Sequence, residues 1–385
     1  MAFVPDPLPR ELVLDAPTVC LLSEAESALG RLVGTTARLV NPYLVGSPLL
    51  HREAILSSKI EGTITTPEQL VLLEAAGAGG PARDPADHDT QEVLNYIRAM
   101  EHALRRLREL PVCLRLIQEI HTELLQGVRG NRERPGEFRT GQNWIGRPAD
   151  PIENARFVPP PAAEMMASLD AFEKYLHERL ETLPMLVKLA LTHYQFETIH
   201  PFRDGNGRIG RLLIPLLLVN YGRMRDPLLY LSSYFDKHRE AYMDLLLRVS
   251  QTGDWSSWIR FFLQGAKECS EESINQAEGL LQLRERYRGQ FQSARSSALL
   301  QKLIDGLFQS PSLTIGHAVK LLEVTHAAAA YNVRKLMDAG ILREVTGRKR
   351  DQIFVAPEII AFMRDAEAEA RRTPGVEAEH TLVEP

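Results

Sequence analysis

The stretch from Pro184 to Val219 constrains this 385-residue chain more than any other. Two apolar runs flank a polar segment, His200-Pro-Phe-Arg-Asp-Gly-Asn-Gly-Arg-Ile-Gly-Arg211. The first run reads as a helix ending near Ile199, because Pro201 disfavours helical backbone at the residue before it. A second helix is expected to start near Gly207. Between them, Gly205 and Gly207 let backbone N–H groups crowd around an anion, and a helix N-terminus adds partial positive charge. Arg208 and Arg211 are three apart, so they are expected to share a face and point at the same region. Asp204 sets a carboxylate beside this nest, a seat for Mg²⁺. His200 stands at the entrance, placed as a general base near neutral pH. A Gly-rich turn with surface arginines and a capping Asp is the simpler reading. The density of apt residues argues instead for a polyphosphate cradle with a metal ligand and a base, the parts that nucleotidyl transfer needs.

Composition removes other classes. Hydrophobic residues make up 44% and charged residues 25%, so a sizeable core is available. A net charge of −5 excludes a uniformly basic nucleic-acid coat. The longest strongly apolar run, Leu212 to Val219, is far shorter than the roughly 20 residues of a membrane span. No membrane partner is expected. The opening MAFVPDPLPREL lacks a basic stretch followed by an apolar run, so no signal peptide is expected. Cys20, Cys113 and Cys269 are too dispersed for a disulfide framework or a metal pair. The expected address is the cytoplasm.

The central segment resembles the Fic family motif, HPFx(D/E)GNGRxxR, at every fixed position. The likeness extends to the helices before it and to Leu229–Phe262 after it. The resemblance implies transfer of AMP from ATP, with Mg²⁺, to a Ser, Thr or Tyr hydroxyl of a target protein, the chain itself included. It assigns His200 as the base and Asp204 as the metal ligand. Gly205, Asn206 and Gly207 would hold the α- and β-phosphates. Arg203 belongs to the same ATP loop, Arg208 would contact the phosphates, and Arg211 would meet the γ-phosphate. Phe202 would anchor the loop in the core. Tyr242 and Gln251 are implied nucleotide-side contacts. Two short β-like pieces, Asn143–Ile145 and Arg156–Val158, can pair as a hairpin. They look like the family's flap, with Trp144, Ile145 and Gly146 aligning the target by strand pairing.

Ser57-Ser-Lys-Ile-Glu-Gly62 matches a second family motif, (S/T)xxxE(G/N), which in one Fic class lies N-terminal to the core. Glu61 is then expected to pair with Arg211 and occupy the guanidinium that should receive the γ-phosphate. Ser57, one helical turn earlier, would tie the helix to the motif loop. The alternative is a helix C-terminus capped by Gly62 with Glu61 merely solvated. The same glutamate positions an AMP-removing water in some family members.

The expected class is mainly α: a Fic-type helical core with a small β-hairpin flap, then a winged-helix domain. Residues 1–110 form an N-terminal helical region with the inhibitory helix around 50–62, and 111–264 the catalytic core. Residues 265–296 read as a polar helical connector, with Arg284–Arg288 as a solvated face. In 297–356, three helical pieces precede two strand-like runs, Ile341–Val345 and Gln352–Ala356. Residues 357–385 form an acidic tail without a core pattern. The 297–355 stretch carries eight Lys/Arg against five Asp/Glu. Arg334, Arg348, Lys349 and Arg350 are its candidate DNA phosphate contacts. Its third helix begins Thr325-His-Ala-Ala-Ala-Ala, which offers little for base reading, so a protein-contact or dimer-packing use stands equally open. His193 is expected to pack inside a helix, Trp255 and Trp258 to be core, and His121 to be isolated. A homodimer is the expected assembly. Two other functions remain open: a nucleotide-sensing DNA-binding regulator, and an enzyme transferring another phosphate-containing group.

Overall fold

Apolar residues recur at helical spacing while strand formers are scarce, and the computed structural model is accordingly mainly α. It describes residues 2–37, 43–77, 85–146, 151–179, 182–291, 297–348 and 350–364. The N-terminal region holds α1 (Ala16–Ala37), α2 (Tyr43–Ile60), α3 (Pro67–Ala76) and α4 (Pro85–Arg106). Then come α5 (Leu114–Leu124), α6 (Ala162–His177), α7 (Met185–Ile199), α8 (Asn206–Asn220), α9 (Ser232–Lys237) and α10 (Arg239–Thr252).

Helix α7 is buried on nearly every side, as a helix without a polar face must be. It packs on α6, α8, α10 and the long α11 (Trp255–Gly289), while α2, α4 and α5 reach α8. The motif loop between α7 and α8 is therefore braced from several directions.

Four features depart from expectation. Helix α3 was not anticipated, although Thr66 and Gln69 form a reciprocal capping box with Pro67 in the first turn. The stretch read as a polar connector is the second half of one continuous helix, α11. Its Cys269, Ala277, Leu280, Leu283 and Tyr287 are buried, and its first half runs along α1. Arg284 is not solvated: its guanidinium donates to both oxygens of Asp305, at 2.7 and 3.1 Å. The hairpin is reduced to one antiparallel bridge, Ile145 to Phe157, with 147–150 outside the described residues.

The C-terminal part is α12 (Ser297–Gln309), β1 (Ser312–Thr314), α13 (Ile315–Leu322), α14 (His326–Asp338), β2 (Arg343–Glu344), β3 (Ile353–Val355) and α15 (Pro357–Ala361). The three strands form an antiparallel sheet in the order β1-β3-β2, with Leu313 opposite Phe354 and Arg343 opposite Val355. Strand β1 and helix α15 add to the two-strand expectation. This part seats on the N-terminal region. Helix α12 packs on α2, β1 and β3 pack on α3, and Ser312 Oγ donates to Val71 O at 3.2 Å. Positions 365–385 lie outside the described residues. No helix among the described residues is long and apolar enough to cross a membrane.

Candidate active site

His200 follows α7 in a left-handed backbone, φ 49°. A residue other than glycine holds that conformation only where its surroundings fix it. Arg139 supplies the fixing. Its buried guanidinium donates to the carbonyls of His200 (2.9 Å), Pro160 (2.5 Å) and Gly141 (3.1 Å). With only carbonyls for company, burial pulls this arginine down to about 10. Asn143 donates to Phe202 O at 2.9 Å. Asn206 spends its amide on the same residue. Its Oδ1 accepts from Phe202 N–H and its Nδ2 donates to Phe202 O, both at 2.8 Å.

Phe202 is fully buried, as expected, and stacks on His121 with ring centroids 3.7 Å apart. His121 is not isolated. Its Nδ1 accepts from Gly136 N–H at 2.8 Å, which places the proton on Nε2, and Nε2 donates to Asp204 O at 3.0 Å. Burial holds His121 down to about 4, so it stays neutral. Neither Arg139 nor His121 carries a local sequence signal. Arg139 acts 61 positions away and His121 83.

The His200 ring Nδ1 lies 3.2 Å from Glu197 O, an acceptor, so Nδ1 carries the proton and Nε2 keeps a free lone pair. Burial pushes His200 down to about 4. The ring is therefore a neutral base at pH 7. It faces a cavity of about 280 Å³ whose polar wall is Glu61, Glu197, His200, Gly207 and Arg211. Tyr242, Met243, Leu246 and Leu247 of α10 line an apolar side, and Trp144, Ile145, Gly146 and Phe157 another.

Arg211 is buried against α2. Its Nε donates to Ser57 Oγ at 2.9 Å, and its Nη2 to Ser57 O at 2.9 Å and Glu61 Oε1 at 2.7 Å. Burial works to raise the Glu61 carboxyl, but the Arg211 charge and hydrogen bond, helped by Arg208 and His200, bring it below its ordinary value. The carboxylate is thus charged at neutral pH. Gly207 is what lets it approach: a Cβ there would run into Glu61 Oε1. The end of α2 is held further by Arg239, which donates to Ile60 O at 3.0 Å, and by Lys59 against Asp236 at 2.6 Å.

Arg208 does not point where Arg211 does. It is buried toward α4, with Nη1 3.2 Å from Glu92 Oε2 and Nη2 3.4 Å from Asp204 Oδ1. It is not among the residues lining the cavity. Three positions set the two residues only about 60° apart around the helix axis, but each long side chain turned to its own acid, Arg208 to Glu92 and Arg211 to Glu61. Asp204 Oδ1 also accepts from Gly205 N–H at 2.6 Å. Its side chain keeps 35% exposure. No cluster of three metal-ligating side chains occurs among the described residues. A single carboxylate beside a glycine-bearing turn at a helix N-terminus fits Mg²⁺, which keeps several waters and takes much of its coordination from a bound phosphate.

The remaining residues are less central. Arg203 is exposed, 3.7 Å from Glu133. Tyr242 is buried at the cavity, where its hydroxyl meets His193 Nε2 at 2.8 Å and its ring stacks on Phe235. Gln251 is exposed and does not line the cavity, whereas its neighbour Ser250 does. Arg334, Arg348 and Arg350 are exposed; Lys349 lies outside the described residues. His193 is packed, and Trp258 is fully buried.

This arrangement has relatives. Residues 111–218 match the family model for the Fic/DOC family, and 19–105 that for the Fic/DOC family N-terminal region; together they take in just over half of the chain. Protein adenylyltransferase Fic of Drosophila erecta is 28% identical over 220 residues, covering 56% of this chain and 39% of the relative. Its counterpart in Aedes aegypti is 32% identical over 165 residues, covering 43% and 29%. The chain thus spans about two fifths or less of the length of the curated relatives it matches. A Fic family protein from Desulfovibrio desulfuricans superposes with a TM-score of 0.57 at 21% identity, covering 90% of this chain and 97% of that one. A Fic domain containing signaling protein from Bacteroides thetaiotaomicron gives 0.51 at 20%, covering 67% and 97%. At those identities the likeness is one of fold. With both sequence segments matched and the helical architecture shared, the chain belongs to the Fic/DOC family.

Proposed function

We propose that this chain is a protein adenylyltransferase held at rest by Glu61. One observation carries the reading. A neutral histidine with a free Nε2 lines the same cavity as an arginine already engaged by a carboxylate. In the reaction, a target hydroxyl gives its proton to His200 Nε2 while its oxygen attacks the α-phosphorus of ATP. The bond to the oxygen bridging to the β-phosphate breaks, and pyrophosphate leaves. The first N–H groups of α8 are free to receive phosphate oxygens. The apolar side formed by Met243, Leu246 and Leu247 suits a purine ring. Asp204 would hold Mg²⁺, whose charge neutralises the phosphates. The target segment would add along Trp144–Gly146. Glu61 keeps Arg211 from the γ-phosphate, so the brake acts on alignment rather than on the base.

The C-terminal order of three helices and a three-stranded antiparallel sheet supports a winged-helix reading, with the exposed Arg348 and Arg350 between β2 and β3. Because α12 packs on α2, such a module would sit against the helix that carries the brake. Labelled ATP separates AMP transfer from transfer of another phosphate-containing group. With the label on the α-phosphate, AMP transfer marks protein, whereas γ-phosphoryl transfer leaves it unmarked. His200→Ala should abolish the mark and leave any retention on DNA unchanged. Undiminished labelling by His200→Ala would sink the assignment of the base.

A further inference from the structure

Glu92 lies on α4, far in sequence from the motif loop, and is buried. Three groups converge on its carboxylate. Arg208 Nη1 sits 3.2 Å from Oε2, Thr63 Oγ1 donates to Oε2 at 2.9 Å, and Arg129 Nε stands 3.7 Å from Oε1. Arg208 is 1% exposed, and its Nε is buried without a partner. A guanidinium so far from water must keep an anion beside it. Two are in reach: the buried Glu92 at 3.2 Å and the part-exposed Asp204 at 3.4 Å. How tightly Arg208 leans on Asp204 therefore depends on how much of its charge Glu92 satisfies. With Glu92 neutral, Asp204 would be the one carboxylate in contact with Arg208. An incoming divalent cation would then have to displace a buried guanidinium.

We propose that Glu92 is a positioning residue: it retains Arg208 so that the Asp204 carboxylate stays available to a divalent cation. This rests on the reading of Asp204 as the Mg²⁺ ligand. The same carboxylate also receives Thr63, two residues beyond Glu61. The brake segment and the cation site are thus tied through one buried acid. Removing a partner that orients a metal ligand commonly weakens metal binding about 10–100-fold.

The test is Mn²⁺ binding to the full chain with excess ADP, followed by electron paramagnetic resonance, on Glu92→Gln, Glu92→Asp, Asp204→Asn and the double variant Glu92→Gln/Arg208→Met. Glu92→Gln should weaken Mn²⁺ about tenfold, while Glu92→Asp, which keeps the charge, should stay within about threefold of wild type. The double variant removes the competing guanidinium together with its buried partner, so it folds more readily than the single one. It should return to within about threefold of wild type, a rescue that a packing role would not give. Wild-type affinity in Glu92→Gln, or a double variant as weak as Asp204→Asn, would overturn the proposal. If Asp204→Asn itself binds Mn²⁺ normally, the reading of Asp204 fails and takes the proposal with it. If Asp204→Asn loses Mn²⁺ and Glu92→Gln does not, the proposal alone fails.

Discussion

Arg208 and Arg211 stand one turn apart on α8, and both are buried, yet they are gripped differently. Arg208 is held by Glu92, whose side chain is 3% exposed and which reaches it from the middle of α4. Arg211 is held by Glu61, whose side chain is 34% exposed and which follows the last turn of α2. The first grip has no route to release short of opening the core. The second can part by moving a helix end, and Ser57 would still satisfy the Arg211 guanidinium. The same pair of charges therefore serves as a strut in one place and as a latch in the other. What separates them is solvent access and the position of the acid in its helix.

That contrast makes unequal demands on stability. Glu92→Ala leaves a fully buried guanidinium without its nearer anion and should cost about 3–5 kcal/mol in denaturant unfolding. Glu197 gives the next effect. Its Oε1 is buried without a hydrogen bond, a Cβ on Gly210 would collide with it, and burial raises the carboxyl to about 7. The folded chain thus keeps a proton that the unfolded chain releases near 4.5. Wild-type stability should fall as pH rises from about 4.5 to about 7, and Glu197→Gln should remove the part of that fall that Glu197 carries, leaving the part from Glu53, whose carboxyl burial also raises to about 7. The gap between variant and wild type should grow with pH, reaching on the order of 1 kcal/mol after discount for partial exposure. A gap that shrinks with pH would place the charge elsewhere. Glu61→Gly should be the mildest, within about 1 kcal/mol of wild type, because its ion pair is part-exposed. Equal losses in Glu92→Ala and Glu61→Gly would erase the distinction between strut and latch.

Much of this was legible in the chain itself. The turn at His200–Arg211 follows from Pro201, Gly205 and Gly207. The Glu61–Arg211 contact, across 150 positions, was expected from two short motifs. What escaped was polar and distant. Glu92, His121 and Arg139 meet the loop through single side chains that leave no periodic trace in sequence. Spacing alone placed Arg208 beside Arg211, but spacing does not say which acid each long side chain will find. The second half of α11 looked like a connector because charges crowd one face. The buried stripe Leu280, Leu283, Tyr287 recurs at three and four residues and was the better guide.

If Glu61 is a brake, removing its carboxylate frees Arg211 for the γ-phosphate of ATP. Incubating Glu61→Gly with Mg²⁺ and α-labelled ATP, then finding the 5′-AMP adduct by mass spectrometry, tests it most directly. Incorporation at least tenfold above wild type is the expected result, a loss of inhibition worth about 1.4 kcal/mol or more. Incorporation no higher than wild type, in a variant that melts normally, would contradict it.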